Sequence, residues 1–344
     1  MSDAARRSRR VLLARRPEGL VRDEDFVMDE TTVPEPGEGE VLVRTLWLSF
    51  DPTQRGWLSA VPTYLPPVGI GEVVRASGIG EVVASNHPRW SPGDLVQGMV
   101  GWQEYAVLGP RSLGGISPIV PGFPPTYSLG VLGMTGLTAY FGLTDVGAVK
   151  PGELVLVSGA AGATGSVVGQ VAKALGARAV GIAGGPEKCA WVRDVAGFDD
   201  CIDYRGDDVA ARLRQVAPDG VDIYFDNVGM PLLDTVLGHL AMRARVVVCG
   251  AIATGYDMAK MPAGPANYLA LIGRRARMEG FLILDYADRF KDGVTRLATM
   301  LSAGQLQVEE DIQEGLENAP ATLRRLFEGK NRGKQLLRVS DPSA

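Results

Sequence analysis

Between the apolar run Leu154–Ser158 and a helical stretch at 166–175 lie the residues Ala160-Ala161-Gly162-Ala163-Thr164-Gly165. They have the form AxGxxG. Strand, tight turn and helix in that order are the setting in which such a turn cradles a dinucleotide. Gly162 lets the backbone approach a pyrophosphate, and Gly165 lets the helix pack closely on the strand. The start of the helix adds free N–H groups and a positive dipole end. Ala160, Ala163 and Thr164 complete the cradle. The alternative is a glycine-rich connection that binds nothing.

Around this turn, apolar strands alternate with helical segments. Strands are expected at 154–158, 179–183, 201–204, 221–225, 245–248 and 279–284, and helices at 129–143, 166–175 and 187–195. Near-continuous apolar strands alternating with helices predict an α/β fold with a Rossmann-type, doubly wound parallel sheet. The first 120 residues read differently. Short apolar runs at 10–14, 41–48, 71–74, 81–83, 94–100 and 104–108 are separated by Pro36-Gly37, Gly69-Ile70-Gly71 and Pro92-Gly93. Such spacing predicts a second, β-rich domain of barrel-like or sandwich form. A last strand at 333–339 is expected to rejoin it. The expected domains are therefore 1–125 with 305–344, and 126–304.

The end of the second strand of the parallel sheet speaks to the choice of nicotinamide cofactor. An NAD site places Asp or Glu there, on the ribose 2′-hydroxyl. This chain reads Ala183-Gly184-Gly185-Pro186-Glu187-Lys188. The strand tip lacks an acid, Gly184 and its neighbour leave room, and Lys188 follows within one helical turn. A lysine there can meet a 2′-phosphate, which favours NADP(H). The competing reading of Lys188 is an ordinary solvated helix lysine.

Composition excludes several classes. With 46% hydrophobic and 22% charged residues, the chain is an ordinary globular protein rather than a disordered one. Its net charge of −5 argues against a nucleic-acid binder. Three cysteines (Cys189, Cys201, Cys249) form no CxxC pair, and there are two histidines, His87 and His239. No clustered zinc ligands result, so no metal site is expected. An odd, sparse cysteine set suits a reducing, cytoplasmic setting. No apolar run reaches the ~18 residues of a membrane span. The basic start (Arg6, Arg7, Arg9, Arg10, Arg15, Arg16) leads only into Val11-Leu12-Leu13-Ala14, too short for a secretory signal. His87 reads as a loop residue and His239 as part of a helical segment. Asp207-Asp208 and Glu309-Glu310 read as solvated faces.

The chain resembles the zinc-independent medium-chain dehydrogenase/reductases, in their leukotriene B4 dehydrogenase / prostaglandin reductase / alkenal double-bond reductase branch. The resemblance runs over nearly the whole length. It is carried by Trp47-Leu48-Ser49-Phe50-Asp51-Pro52, Gly133-Met134-Thr135-Gly136-Leu137-Thr138-Ala139-Tyr140, the 160–169 turn, Phe225-Asp226-Asn227-Val228-Gly229, Cys249-Gly250-Ala251-Ile252, Arg277-Met278-Glu279-Gly280-Phe281 and Asn331-Arg332-Gly333-Lys334.

The resemblance implies a GroES-like, partly open barrel as the substrate domain. It also implies NADPH-dependent reduction of a carbon–carbon double bond conjugated to a carbonyl, in enones and enals. Hydride would reach the β-carbon, and a tyrosine hydroxyl would stabilise the enolate. That tyrosine is Tyr256; this chain carries one residue more before it than the family commonly does. Tyr204 and Lys188 resemble the 2′-phosphate contacts, and Asn331 a phosphate contact. Met134 and Thr135 resemble contacts on the nicotinamide side. Cys249 reads as a small core residue within an apolar strand and, with Gly250, Ala251 and Ile252, belongs to a matching stretch of candidate cofactor contacts; Phe281, Leu282 and Ile283 resemble the strand whose backbone holds the nicotinamide ring. Asn227 either faces the cofactor or caps a turn, and Phe281 either lines the site or belongs to the core. Tyr64 resembles a substrate-pocket tyrosine, or sits in a plain surface loop; Trp47 and Trp57 wall the pocket or are core. A homodimer joined at sheet edges is implied. Two other readings stand beside this one: a quinone reductase of the same superfamily, and an NADP(H)-binding module without turnover.

Overall fold

The computed structural model describes residues 7–257, 260 and 262–342. Two sheets organise it. The first has six parallel strands, in the spatial order Asp200–Asp203, Arg178–Ala183, Leu154–Ser158, Val221–Asp226, Leu240–Val248, Arg277–Gly280. Successive side chains of a strand alternate between faces. Val155, Val157, Ile223 and Phe225 accordingly enter one apolar layer, while Leu154, Leu156 and Tyr224 enter another. Both faces are covered, which explains why these strands read as unbroken apolar runs.

The second sheet has seven strands and is mostly antiparallel. Its main path runs Glu310–Glu314, Lys334–Arg338, Val41–Ser49, Gly78–Ser85, Leu95–Gly98, Ser117–Pro118, with Tyr105–Leu108 beside Val41–Ser49. The two ends of this path are not joined. Leu13, Val41, Val43, Phe50 and Trp102 fill its core. The C-terminal strand pairs with Val41–Ser49 through Leu336 and Ser49, so the tail does rejoin the N-terminal region. A separate hairpin, Arg7–Leu13 with Phe26–Thr32, lies against this core.

Several expected elements differ. The first strand is Arg7–Leu13, and Arg6 lies outside the described residues. The run at 71–74 is only a single bridge, Leu12 to Val73, because Gly71 turns the chain at φ +81°. The helix expected over 129–143 is interrupted. A short turn Pro125–Leu129 precedes helix Met134–Phe141, and a wider turn Gly142–Val146 follows. The bend is glycine-dependent: a Cβ on Gly133 would sit 2.0 Å from the Ser128 carbonyl oxygen. The strand expected over 279–284 ends at Gly280, since the Phe281 ring turns inward toward Phe225. His239 is not helical. It lies between helix Leu232–Leu237 and the next strand, with Nδ1 3.0 Å from the Thr235 carbonyl. Glu310 is no solvated face either: it accepts from the Thr126 hydroxyl (2.9 Å), and burial pushes its carboxyl pKa up. Cys189 and Cys201 are both buried with their thiols in contact. No helix among the described residues is long and apolar enough to cross a membrane.

Candidate active site

From Leu154–Ser158 the chain winds outward to one edge of the parallel sheet, then returns to Val221–Asp226 and winds to the other. Ser158 and Asp226 therefore end the two strands flanking the reversal. Open α/β sheets bind ligands outside this point.

The phosphate side is made of backbone. Gly162 caps helix Ala163–Ala174 in extended geometry, and its N–H bonds the Gly159 carbonyl at 2.9 Å. A Cβ on Gly165 would lie 2.3 Å from the Gly159 oxygen, so only glycine fits. Ala160 is wholly buried, with its N–H bonded to the Ile182 carbonyl at 3.1 Å. Ala163 and Thr164 form the first turn of the helix.

Next to it lies a cationic corner. Lys188 Nζ donates to the Gly329 carbonyl at 2.8 Å. Burial lowers the Lys188 pKa, Arg205 lowers it further, Asp311 acts the other way, and Arg332 and Arg325 add smaller lowering effects. Arg332 and Arg325 are bridged to Glu309 and Asp311. Lys188 and Arg205, by contrast, form no ion pair among the described residues; Arg205 lies over the Tyr204 ring at 5.8 Å. Gly184 leaves room for this ring, since a Cβ there would meet the Tyr204 hydroxyl at 2.8 Å. Unpaired cations held together are unfavourable without an anion between them. The cradle and this corner fit a dinucleotide carrying a 2′-phosphate. Arg205 was not singled out from the sequence; its only signal there is its place beside Tyr204.

The other side is built from side chains. Asp226 is fully buried. Its Oδ1 accepts from Tyr224 Oη (2.9 Å), Ser158 Oγ (3.1 Å), and the N–H groups of Val228 (3.0 Å) and Gly229 (2.9 Å). Four donors converging on one buried oxygen offset the cost of taking it out of water. The Asp226 carbonyl accepts from Cys249 (2.9 Å) and Gly250 (3.0 Å). Asp226 thus joins two turns, 227–229 and 249–251. The sequence offered Asp226 only as a member of a matching stretch.

Tyr256 stands over this junction. Gly255 (φ +65°) and Tyr256 (φ +50°) are both left-handed, which costs a non-glycine residue about 1–2 kcal/mol. Two bonds hold the turn. Tyr256 N–H donates to Thr254 Oγ1 (3.1 Å), and the Tyr256 hydroxyl oxygen accepts from the Ala251 N–H (3.0 Å). Among the described residues nothing accepts the phenolic proton, which leaves it available to donate. Burial pushes the Tyr256 pKa up to about 12, so the hydroxyl stays neutral. Tyr64 lies close enough to interact electrostatically with it.

Known proteins resemble this chain over nearly its whole length. A family model for the N-terminal domain of oxidoreductases matches residues 9–116. Another, described as zinc-binding dehydrogenase, matches 163–299. The NADPH-dependent curcumin reductase of Escherichia coli is 42% identical, over 99% of each chain. The NADP-dependent 2-alkenal reductase of Nicotiana tabacum is 38% identical, over 97% of this chain and 98% of that protein. The crystal structure of CurA in complex with NADPH from Vibrio vulnificus superposes with a TM-score of 0.90 at 40% identity, covering 97% of this chain and 100% of that one.

The chain belongs to the medium-chain dehydrogenase/reductases, in their zinc-independent double-bond-reductase branch.

It is an NADP(H)-dependent oxidoreductase of that branch. One matching model is named for zinc-binding members. Among the described residues, no group of three His, Cys, Asp or Glu side chains could hold a metal ion.

The residues singled out by family resemblance fall into distinct places. Thr135 Oγ1 donates to the Gly130 carbonyl at 2.9 Å, and Met134, half-exposed, opens the same helix. Asn227 turns its amide back onto the Ser158 carbonyl (2.8 Å), which makes it a turn-fixing residue in this structure. A Cβ on Gly250 would meet the Tyr256 hydroxyl at 2.9 Å, so any larger residue there would push the tyrosine tip aside. Ile252 N–H bonds the Asn227 carbonyl at 3.3 Å. Cys249 lies just past its strand rather than within it, with its thiol pKa pushed up to about 12 by burial. The Phe281 ring is core, packed beside Phe225 and Tyr286; Leu282 is exposed and Ile283 starts a short turn. Asn331 Nδ2 donates to the Gly333 carbonyl at 3.1 Å. Trp47 packs with Ile79, Leu129 and Leu336, while Tyr64 interacts with Thr53.

Proposed function

We propose that this enzyme reduces the carbon–carbon double bond of α,β-unsaturated ketones and aldehydes. The observation that carries the reading is the Tyr256 hydroxyl, anchored by the Ala251 N–H at the sheet's reversal point and within electrostatic reach of Tyr64. NADPH held at this site would supply the hydride for the substrate β-carbon. Negative charge then collects on the carbonyl oxygen. A neutral hydroxyl with its own oxygen already held in place is a preorganised donor for that charge. Tyr256 would donate to the oxygen, and a proton then reaches the α-carbon. The names of the curcumin and 2-alkenal reductases support this substrate class, a 2-alkenal being a double bond conjugated to a carbonyl.

Lys188, Tyr204 and Arg205 would hold the 2′-phosphate, and Gly162, Ala163, Thr164 and Gly165 the pyrophosphate. Met134, Thr135 and the 249–252 turn would face the nicotinamide. A second copy of the chain would close the exposed edge strand Arg277–Gly280, beside the exposed Tyr268, Leu269 and Ile272. Three free cysteines suit a cytoplasmic setting.

The test is NADPH consumption, followed by loss of its near-ultraviolet absorbance, with enones and enals beside a quinone and a saturated ketone, and repeated with NADH. Turnover of enones with NADPH is the expected result. Turnover of the quinone alone would replace the reading with quinone reduction. Tight NADPH binding with no turnover of any acceptor would leave only a binding module.

A further inference from the structure

The C-terminal tail touches both halves of the cleft within two residues. The Gly333 N–H donates to the Ala161 carbonyl at 2.8 Å, and Gly333 bridges Gly162 in the phosphate turn. Asn331 Nδ2 closes the tail on itself through the Gly333 carbonyl. Only glycine fits at 333, where φ is +69° and a Cβ would lie 1.9 Å from the Glu309 oxygen. The next residue, Lys334, points the other way. Its side chain is 4% exposed. Its Nζ donates to the Phe50 carbonyl (3.1 Å) and to Asp51 Oδ1 (2.5 Å). Ser49 Oγ donates to Asp51 Oδ2 at 2.7 Å, and the Phe50 N–H bonds the Gln335 carbonyl at 3.1 Å.

Asp51 opens the segment that carries Thr53 and Tyr64, and its charge is felt at Tyr64. A buried ammonium is costly to desolvate, and replacing a buried ion pair by apolar side chains is often neutral or stabilising. Stability therefore does not explain why a charge is kept here. Position does: beside the backbone bond from Phe50 to Gln335, the ammonium is the side-chain link that ties the phosphate turn's neighbour to Asp51 at the start of the substrate loop.

We propose that Asn331–Lys334 is a clamp through which dinucleotide binding at Gly162 fixes the 50–66 loop, with Lys334 as its positioning residue. An anion seated on the phosphate turn holds Ala161 and Gly162. Those residues hold Gly333, and the rigid Gly333–Lys334 step holds Phe50 and Asp51. Cofactor occupancy would then set the place of Tyr64 before any substrate arrives. This rests on the dinucleotide site described above and deepens it.

The experiment is amide hydrogen exchange with NADP+ as the probe. In the unaltered protein, NADP+ is expected to slow exchange both in the 159–166 turn and in the 50–66 loop. In Lys334→Met, the turn is expected to remain protected by NADP+ while the loop loses its NADP+-dependent protection. Asp51→Asn, which keeps the lysine, is expected to give the same split. In both variants kcat/KM for an enone falls roughly tenfold or more, with NADP+ affinity nearly unchanged. Equal loop protection in the variants would overturn the proposal, as would a loop indifferent to NADP+ in the unaltered protein. The exchange readout needs no enone, so failure of the substrate reading leaves it standing.

Discussion

At one end of the cleft the protein works by leaving atoms out. Gly159, Gly162 and Gly165 bring backbone against backbone, and a single methyl at Gly165 would collide with a carbonyl that cannot move aside. At the other end it works by adding them. Tyr256, Thr254, Ser158, Asp226 and Tyr224 reach across turns to hold one another. The first kind of site is rigid because its parts are covalently short-range. The second is placed only when distant segments have already folded. The contrast teaches where each function sits: common phosphate chemistry in the backbone, reaction-specific chemistry in side chains on a loop.

Substitutions separate the two ends. The largest effect is expected from Gly165→Ala. The helix must shift off its strand, costing about 1–3 kcal/mol, and NADP+ binding is expected to fall beyond detection in a fluorescence titration. Normal binding by a folded Gly165→Ala would remove this turn as the phosphate site.

Tyr256→Phe should act on chemistry alone. Losing one preorganised donor costs about 10²–10³ in kcat, with NADPH affinity retained. The pH dependence has a definite sign. The donor must be protonated, and burial raises its pKa from about 10 to about 12. Its contribution is therefore complete at neutral pH and is lost only as pH rises toward that upper value. A kcat/KM profile that fell between about pH 7 and 9 and was unchanged in Tyr256→Phe would assign the limb to another group.

The smallest effect belongs to the phosphate corner. Lys188→Ala removes a charge-assisted contact worth about 1.5–3 kcal/mol. The preference for NADPH over NADH should drop roughly 10- to 100-fold, with NADH kinetics unchanged. An equal loss for both cofactors would make Lys188 a structural lysine.

The same contrast governs what could be read in advance. The glycine turn, the missing acid after Ala183 and the alternation of strands with helices are local patterns, and each was legible. Tyr64 and Tyr256 were named through family likeness, and their proximity needed the fold. Phe26–Thr32 and Glu310–Glu314 escaped because charged and threonine-rich strands carry little apolar period. The Asp51–Lys334 pair escaped for a different reason: its partners are 283 residues apart, and no spacing rule spans that distance. Phe281 misled because an apolar run looks the same whether it continues a strand or folds into a core.

The turn before Tyr256 ends in two successive left-handed residues, Gly255 and Tyr256. The hydroxyl still returns to the Ala251 N–H. Insertions and deletions in this stretch therefore change the outline of the pocket without disturbing the cradle at Gly162. A lineage of such enzymes can exchange one substrate for another by editing loop length, while its nucleotide half stays fixed by the steric intolerance of its glycines.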